Sequence, residues 1–180
     1  MLRRLLFLLP VIIFVVIAGY FLWGLSPERD PGNVPTAMID KPTPDFDLAA
    51  VPGLGVPGLA TADLAGGEVV MVNFFASWCV PCRAEHAYLT AFSEESGVPL
   101  YGINHRDKPE DAIAWLAELG NPYRRIGADP GRAAVEWGVT GVPETFVIDG
   151  VGRIRWHHRG PLVPEVIERD LKPLIAALQP

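Results

Sequence analysis

Only two cysteines occur among the 180 residues, too few for a disulfide scaffold or a four-thiolate zinc site. Basic residues are also in short supply. Fifteen Lys and Arg against 21 Asp and Glu leave a formal charge of −6, which argues against a nucleic-acid partner. Charged residues make up 20% and hydrophobic ones 49%, a balance that excludes a disordered chain and leaves enough apolar surface for about one domain. Charge is missing altogether between Leu5 and Leu25. So long an uncharged run has no polar face, which speaks against a core helix.

As a helix rising about 1.5 Å per residue, that run spans roughly the 30 Å hydrocarbon layer of a bilayer. Arg3 and Arg4 precede it and Glu28 and Asp30 follow it, so the positive-inside rule puts Met1 in the cytoplasm and the remainder outside. Tyr20 and Trp23 suit the far headgroup layer. A cleaved signal peptide ending near Val16-Ile17-Ala18 is the competing reading, but the apolar run continues well past Ala18. From Ser26 to Pro44 the chain holds Pro27, Pro31, Gly32, Pro35, Pro42 and Pro44, the composition of a stiff tether. The expected organisation is therefore a membrane anchor at 1–25, a Pro-rich linker at 26–44 and a catalytic domain at 45–180. With Arg3 and Arg4 set aside, the exported part is two units more negative than the −6 of the whole chain, and it should stand off anionic lipid.

Both cysteines lie in Cys79-Val80-Pro81-Cys82. An apolar β-rich run, Val69 to Ala76, comes before them and a helical run from Cys79 to about Ser96 follows. Around this junction we expect a short edge strand at Phe46 to Leu48, a loop at Pro52 to Gly58 and a turn at Ala62 to Gly67. Downstream we expect a strand at Pro99 to Asn104 and helices at Pro109 to Leu119 and Gly131 to Trp137. Strands at Thr145 to Ile148 and Arg153 to His157 flank the turn Asp149-Gly150-Val151-Gly152, and a helix at Pro164 to Leu178 closes the domain. This order implies an α/β, thioredoxin-like fold, with a central mixed sheet flanked by helices and one transmembrane helix before it.

A Cys-x-x-Cys pair at a strand-to-helix junction is the setting of a thiol-disulfide redox couple. Cys79, at the helix N-terminus, sees unsatisfied N–H groups and the positive end of the macrodipole, which favour its thiolate, so it is the expected solvent-facing nucleophile. Cys82, one turn deeper, is the resolving thiol. Pro81 stiffens the loop near the first turn, where its missing N–H costs little, and Trp78 forms an apolar lip. A purely structural bridge is disfavoured because so short a loop gains little entropy from closure. Glu85, three residues beyond Cys82, and Glu144 are carboxylates placed to raise thiol pKa and favour a reductant, against the opposing pull of the helix terminus. Cys79, Cys82 and His86, spaced on one helix face, allow a second class of function, a tethered copper or zinc chaperone, although His86 is expected to make a surface contact. His157 and His158 point to opposite faces of a strand and cannot share an ion. Trp115, Trp137 and Trp156 are expected to serve packing.

Asn73-Phe74-Phe75-Ala76-Ser77-Trp78-Cys79-Val80-Pro81-Cys82-Arg83-Ala84-Glu85-His86, Tyr101-Gly102-Ile103-Asn104, Gly120-Asn121-Pro122-Tyr123 and Gly138-Val139-Thr140-Gly141-Val142-Pro143-Glu144-Thr145-Phe146-Val147-Ile148-Asp149 resemble the DsbE/CcmG family over about Lys41 to Leu162. These are membrane-anchored thioredoxin-like proteins of cytochrome c biogenesis. The resemblance implies a periplasmic, single-pass inner-membrane reductase that keeps the cysteines of apocytochrome c, or of a thiol carrier, reduced. It also implies a membrane electron donor of the DsbD/CcdA type and no cofactor beyond the Cys79-Cys82 couple. A related anchored reductase serving copper-site assembly is the alternative. Resemblance to thioredoxin-like proteins further implies a cis Val142-Pro143 bond beside the cysteines, with Val142 backbone groups pairing with an extended substrate; an ordinary trans proline at a strand entry is the alternative. Many thioredoxins carry an aspartate where this chain has Asn73, and an amide cannot take a proton, so Glu85, through water if needed, is the expected base for Cys82; a solvated helix residue with no such role is the alternative. The chain departs from the family pattern at His105-Arg106-Asp107, before its second long helix.

Overall fold

The computed structural model describes residues 2–24 and 37–179, with side chains from residue 9 onward. The chain divides into two units, Met1–Val34 and Pro35–Pro180. In the first, helix α1 runs over Leu2–Gly24 with Pro10 inside it. Among the residues described with side chains, no helix is long and apolar enough to cross a membrane. The side chains of Arg3 and Arg4, and residues 26–36 of the expected tether with Glu28 and Asp30, lie outside what is described. The remainder of that tether belongs to the folded unit. Asp40 N–H donates to the Ile154 carbonyl at 2.7 Å and Thr43 N–H to the Gly152 carbonyl at 2.9 Å, so residues 40–43 dock on the hairpin end.

The second unit is built on a sheet of five strands, β3 (Val70–Phe75), β4 (Leu100–His105), β5 (Arg125–Asp129), β6 (Glu144–Ile148) and β7 (Ile154–Arg159), in the order β5-β4-β3-β6-β7. β3, β4 and β5 run parallel, while β6 and β7 are antiparallel to their neighbours. Two short strands, β1 (Asp47–Leu48) and β2 (Leu59–Ala60), pair apart from it. β5 was not expected. Arg125-Ile126-Gly127-Ala128-Asp129 is charged at both ends and holds a glycine, so its sequence lacks a β-branched run, and it joins the sheet as an edge by parallel pairing with β4.

All six residues of β3 are buried, because both faces of the sheet are covered. Met71 and Phe75 face a core shared with α2 (Val80–Ser96), α3 (Pro109–Leu119) and the C-terminal helical segment. Val70, Val72 and Phe74 face a second core with Trp137, at the end of α4 (Arg132–Glu136), and with Leu59 and Leu64. The crossovers β3-α2-β4 and β4-α3-β5 advance in one direction across the sheet, and their usual right hand places both helices on one side. Each large side chain buried in these cores contributes about 1.5–3 kcal/mol. Gly102 makes room for one of them: a Cβ there would lie 2.8 Å from the Phe75 ring and 3.1 Å from Tyr123, whose rings stack at 4.7 Å. The closing segment is not one regular helix. α5 (Pro164–Val166) widens into a π turn at Ile167–Leu171 before α6 (Lys172–Leu178), a break placed just ahead of Pro173, which has no N–H to donate.

Candidate active site

β3 ends at Phe75, and four residues later Cys79 takes an extended conformation as the N-cap of α2, with Pro81 in the first turn. The helix ends at Gly97, whose φ of 69° suits a residue without a Cβ. Cys79 and Cys82 are joined in a disulfide with their Cα atoms 5.3 Å apart. The Cys79 sulfur also accepts the Cys82 N–H at 3.1 Å. Thus one of the helix's orphan donors points at the expected nucleophile, the arrangement that would hold a thiolate after reduction. In the oxidised form the couple is more enclosed than the sequence suggests. Cys79 is 3% and Cys82 2% exposed, whereas Trp78 and Val80 are 58% and 80% exposed. The expectation of a solvent-facing Cys79 is therefore corrected: both residues of the bridge lie within the buried apolar cluster, with Val142 packed against it.

The loop that carries Trp78 is tied to the β4–α3 loop. Asp107 accepts the Ser77 N–H and hydroxyl, each at 2.6 Å, and also the Asn104 side-chain amide at 2.9 Å. Trp78 Nε1–H donates to the Arg106 carbonyl at 3.2 Å. Arg106 has a φ of 45°, so the His105-Arg106-Asp107 departure falls on the segment that backs the active-site loop. Sequence reasoning passed over Ser77, Asn104 and Asp107, whose only signal was a carboxylate two residues before the helix-starting Pro109.

Behind Cys82 lies a buried polar network. Glu85, 1% exposed, accepts the Asn73 amide at 2.9 Å and the Leu162 N–H at 2.7 Å. The Asn73 amide also donates to Thr145 Oγ1 at 3.0 Å, and the Asn73 carbonyl oxygen accepts the Tyr123 hydroxyl at 2.8 Å. Asn73 is thus a hub with its amide and carbonyl both engaged. Burial raises the Glu85 pKa from 4.5 to about 7, against the opposing pull of the Leu162 and Asn73 hydrogen bonds. Burial, with the charge of Glu85 adding, also holds the Tyr123 hydroxyl well above its ordinary range.

His86 is not on the surface. It is 3% exposed, its Nε2 lies 3.0 Å from the Gly120 carbonyl, and its ring meets Trp115 edge-on at 4.6 Å. Burial lowers its pKa. Among the described residues no group of three or more His, Cys, Asp or Glu is placed to hold a metal ion.

The Val142-Pro143 bond is cis. Glu144, the first residue of β6, pairs with Phe74 of β3, so the Gly141-Val142-Pro143 loop and the Ser77-Trp78-Cys79 loop leave adjacent strands at the same end of the sheet. Val142 packs against the cluster that contains both cysteines. The Glu144 side chain turns the other way. On β6 Thr145 faces Asn73 and Glu85, whereas Glu144 shares the opposite face with Phe146. The two expected carboxylates therefore lie on opposite sides of the sheet, and only Glu85, on α2 with Cys82, shares the side of the couple.

A pair of cysteine sulfurs at a helix start, bonded here and able to open to two thiols, exchanges two electrons with a partner's dithiol or, once reduced, with a partner's disulfide. A molecule that does this from a thioredoxin-like sheet is a thiol-disulfide oxidoreductase, and this chain is one. The Redoxin family model matches residues 39–175. The chain is 44% identical to thiol:disulfide interchange protein HelX of Rhodobacter capsulatus, over 93% of this chain and 94% of that protein. With thiol:disulfide interchange protein DsbE of Escherichia coli it shares 43% identity, over 96% of this chain and 94% of the relative. A solved structure of a DsbE-type thiol:disulfide interchange protein from Chlorobium tepidum matches with a TM-score of 0.63 and 30% identity, covering 77% of this chain and 96% of the other. The chain belongs to the Redoxin family and, within it, to the DsbE group of thiol:disulfide interchange proteins.

Proposed function

We propose that this oxidoreductase works as a reductant on the periplasmic side of the inner membrane, where it keeps the cysteines of apocytochrome c, or of a carrier that delivers them, in the thiol form. The observation that carries the direction of electron flow is Glu85, buried three residues beyond Cys82. A carboxylate there disfavours a second negative charge on the reduced couple, which favours the disulfide and makes the dithiol a better donor.

The reaction begins with the Cys79 thiolate attacking one sulfur of the substrate bridge; a mixed disulfide forms and the other substrate sulfur leaves as a thiolate that takes up a proton. Cys82 then gives its proton to Glu85, directly or through a water, and attacks the Cys79 sulfur. The substrate departs with two thiols, and Cys79 and Cys82 end as the disulfide seen here. Glu85, with a pKa of about 7, can accept and release that proton near neutral pH. The Val142 backbone beside the couple offers an extended peptide one residue of strand pairing. Electrons return from a membrane thiol donor of the DsbD/CcdA type, and the couple is the only redox group required. The apolar helix Leu2–Gly24 would anchor the enzyme beside that donor and raise their effective concentration.

The test is a Cys82→Ser variant expressed in the native host. With no resolving thiol, Cys79 remains bonded to its clients, and apocytochrome c or its thiol carrier is the expected trapped species. Trapped species that never include either would overturn the cytochrome assignment.

A further inference from the structure

We infer that His157 is a positioning residue for the substrate-docking loop, acting through Glu144. Glu144 is 1% exposed. Its Oε1 accepts three hydrogens from the loop that leads to the cis-proline: the Thr140 N–H at 2.8 Å, the Thr140 hydroxyl at 2.7 Å and the Gly141 N–H at 3.2 Å. Its Oε2 lies 2.6 Å from His157 Nε2, with Arg159 Nε at 4.0 Å. One carboxylate therefore spans from the inner strand to the residue immediately before Val142. Hydrogen bonds from these donors, His157 first and Thr140 after it, hold its pKa below the ordinary value against the effect of burial.

His157 is itself fixed. Its side chain is 1% exposed, and its ring lies flat on Phe146 with centroids 4.0 Å apart and planes within 9°. Nothing at the couple requires a histidine on this face of the sheet, because Cys79 and Cys82 pack into the core on the other side. Its position has one evident consequence. With Oε2 engaged, the carboxylate cannot rotate away from Thr140 and Gly141, and the backbone that would pair with a peptide is held in place before substrate arrives. Removing His157 leaves a buried oxygen short of a donor, which tends to pull the carboxylate toward Arg159 or water and to release the loop.

The inference rests on the proposal that Val142 docks an extended chain, and the experiment separates the two. The reduced enzyme is assayed with two oxidants, an eight-residue peptide carrying a Cys-x-x-Cys disulfide and hydroxyethyl disulfide, which has no peptide backbone. His157→Phe keeps the ring stacked on Phe146 and deletes the donor. It should raise KM for the peptide about tenfold with kcat little changed, the pattern of lost binding, while hydroxyethyl disulfide is reduced at the wild-type rate. The amide resonances of Thr140 and Gly141 should shift, and His157→Gln, which restores a donor, should recover both readouts. His157→Asn, too short to reach Oε2, serves as a second variant with the same expectation should the Phe variant fold poorly. An unchanged peptide KM with unmoved Thr140 and Gly141 amides, or an equal loss on both oxidants, would overturn the role of His157. If the amides shift but the peptide KM does not, the docking role of Val142 fails instead.

Discussion

Glu85 is the base of the proposed cycle, buried and held by the Asn73 amide and the Leu162 N–H. Its pKa is raised from 4.5 to about 7 by burial, so between those values the folded protein binds more protons than the unfolded chain. Stability contributed by this group is complete below about pH 4.5 and is lost as the pH rises toward 7, by about 3 kcal/mol in total. Urea unfolding of the oxidised protein across that range should show the decline, and Glu85→Gln should flatten it. The same substitution should slow resolution of a mixed disulfide at least tenfold and remove the inflection near pH 7 from its rate profile; an unchanged resolution rate would end the assignment of Glu85 as base. Cys79, Cys82 and Glu85 were legible in the sequence because their spacing on one helix fixes their relation. The rest of the network was not. Asn73, Tyr123, Thr145 and the Leu162 N–H come from four separate segments, and only the folded sheet brings them together. Glu144 shows the converse limit. Its place beside Pro143 was plain, but which face of the sheet its carboxylate takes depends on strand register, and a shift of one residue would have reversed it.

Among the elements, the β3–α2 loop is the one whose geometry matters most, and the β4–α3 loop fixes it through Asp107. Two hydrogen bonds of 2.6 Å to Ser77 set the residue two places before the nucleophile. Asp107→Ala should cost about 1–3 kcal/mol, since a charged acceptor with several donors is lost, and should loosen Trp78. Denaturant midpoints would report the first effect and Trp78 accessibility to a soluble quencher the second; full stability with unaltered quenching would contradict the clamp. Most elements were readable from pattern, because β3 and β4 are apolar runs and α2 and α3 carry start signals at Cys79 and Pro109. β5 escaped because its stability comes from parallel pairing and from Ile126 in the core, neither of which marks a short stretch of sequence.

For the molecule as a whole, the apolar helix Leu2–Gly24 and the folded unit Pro35–Pro180 are separate. If the helix serves to hold the enzyme near its donor, a protein lacking residues 1–34 should fold and reduce a peptide disulfide at about the full rate when a soluble dithiol recharges it, yet fail to support its clients in cells. Equal support in cells would show that the anchor is dispensable. The proline-rich stretch expected as a linker over 26–44 belongs in its later residues to the folded unit, a docking that pattern alone does not show because residues 40–43 bond to the β6–β7 hairpin. Whether this couple donates electrons is read from its reduction potential, measured by equilibration with glutathione at pH 7. A reductant of this kind should lie between the roughly −180 mV of a disulfide isomerase and the roughly −270 mV of a thioredoxin and move toward the oxidising side in Glu85→Gln; a potential near −120 mV, that of a strong oxidant, would contradict a donor role.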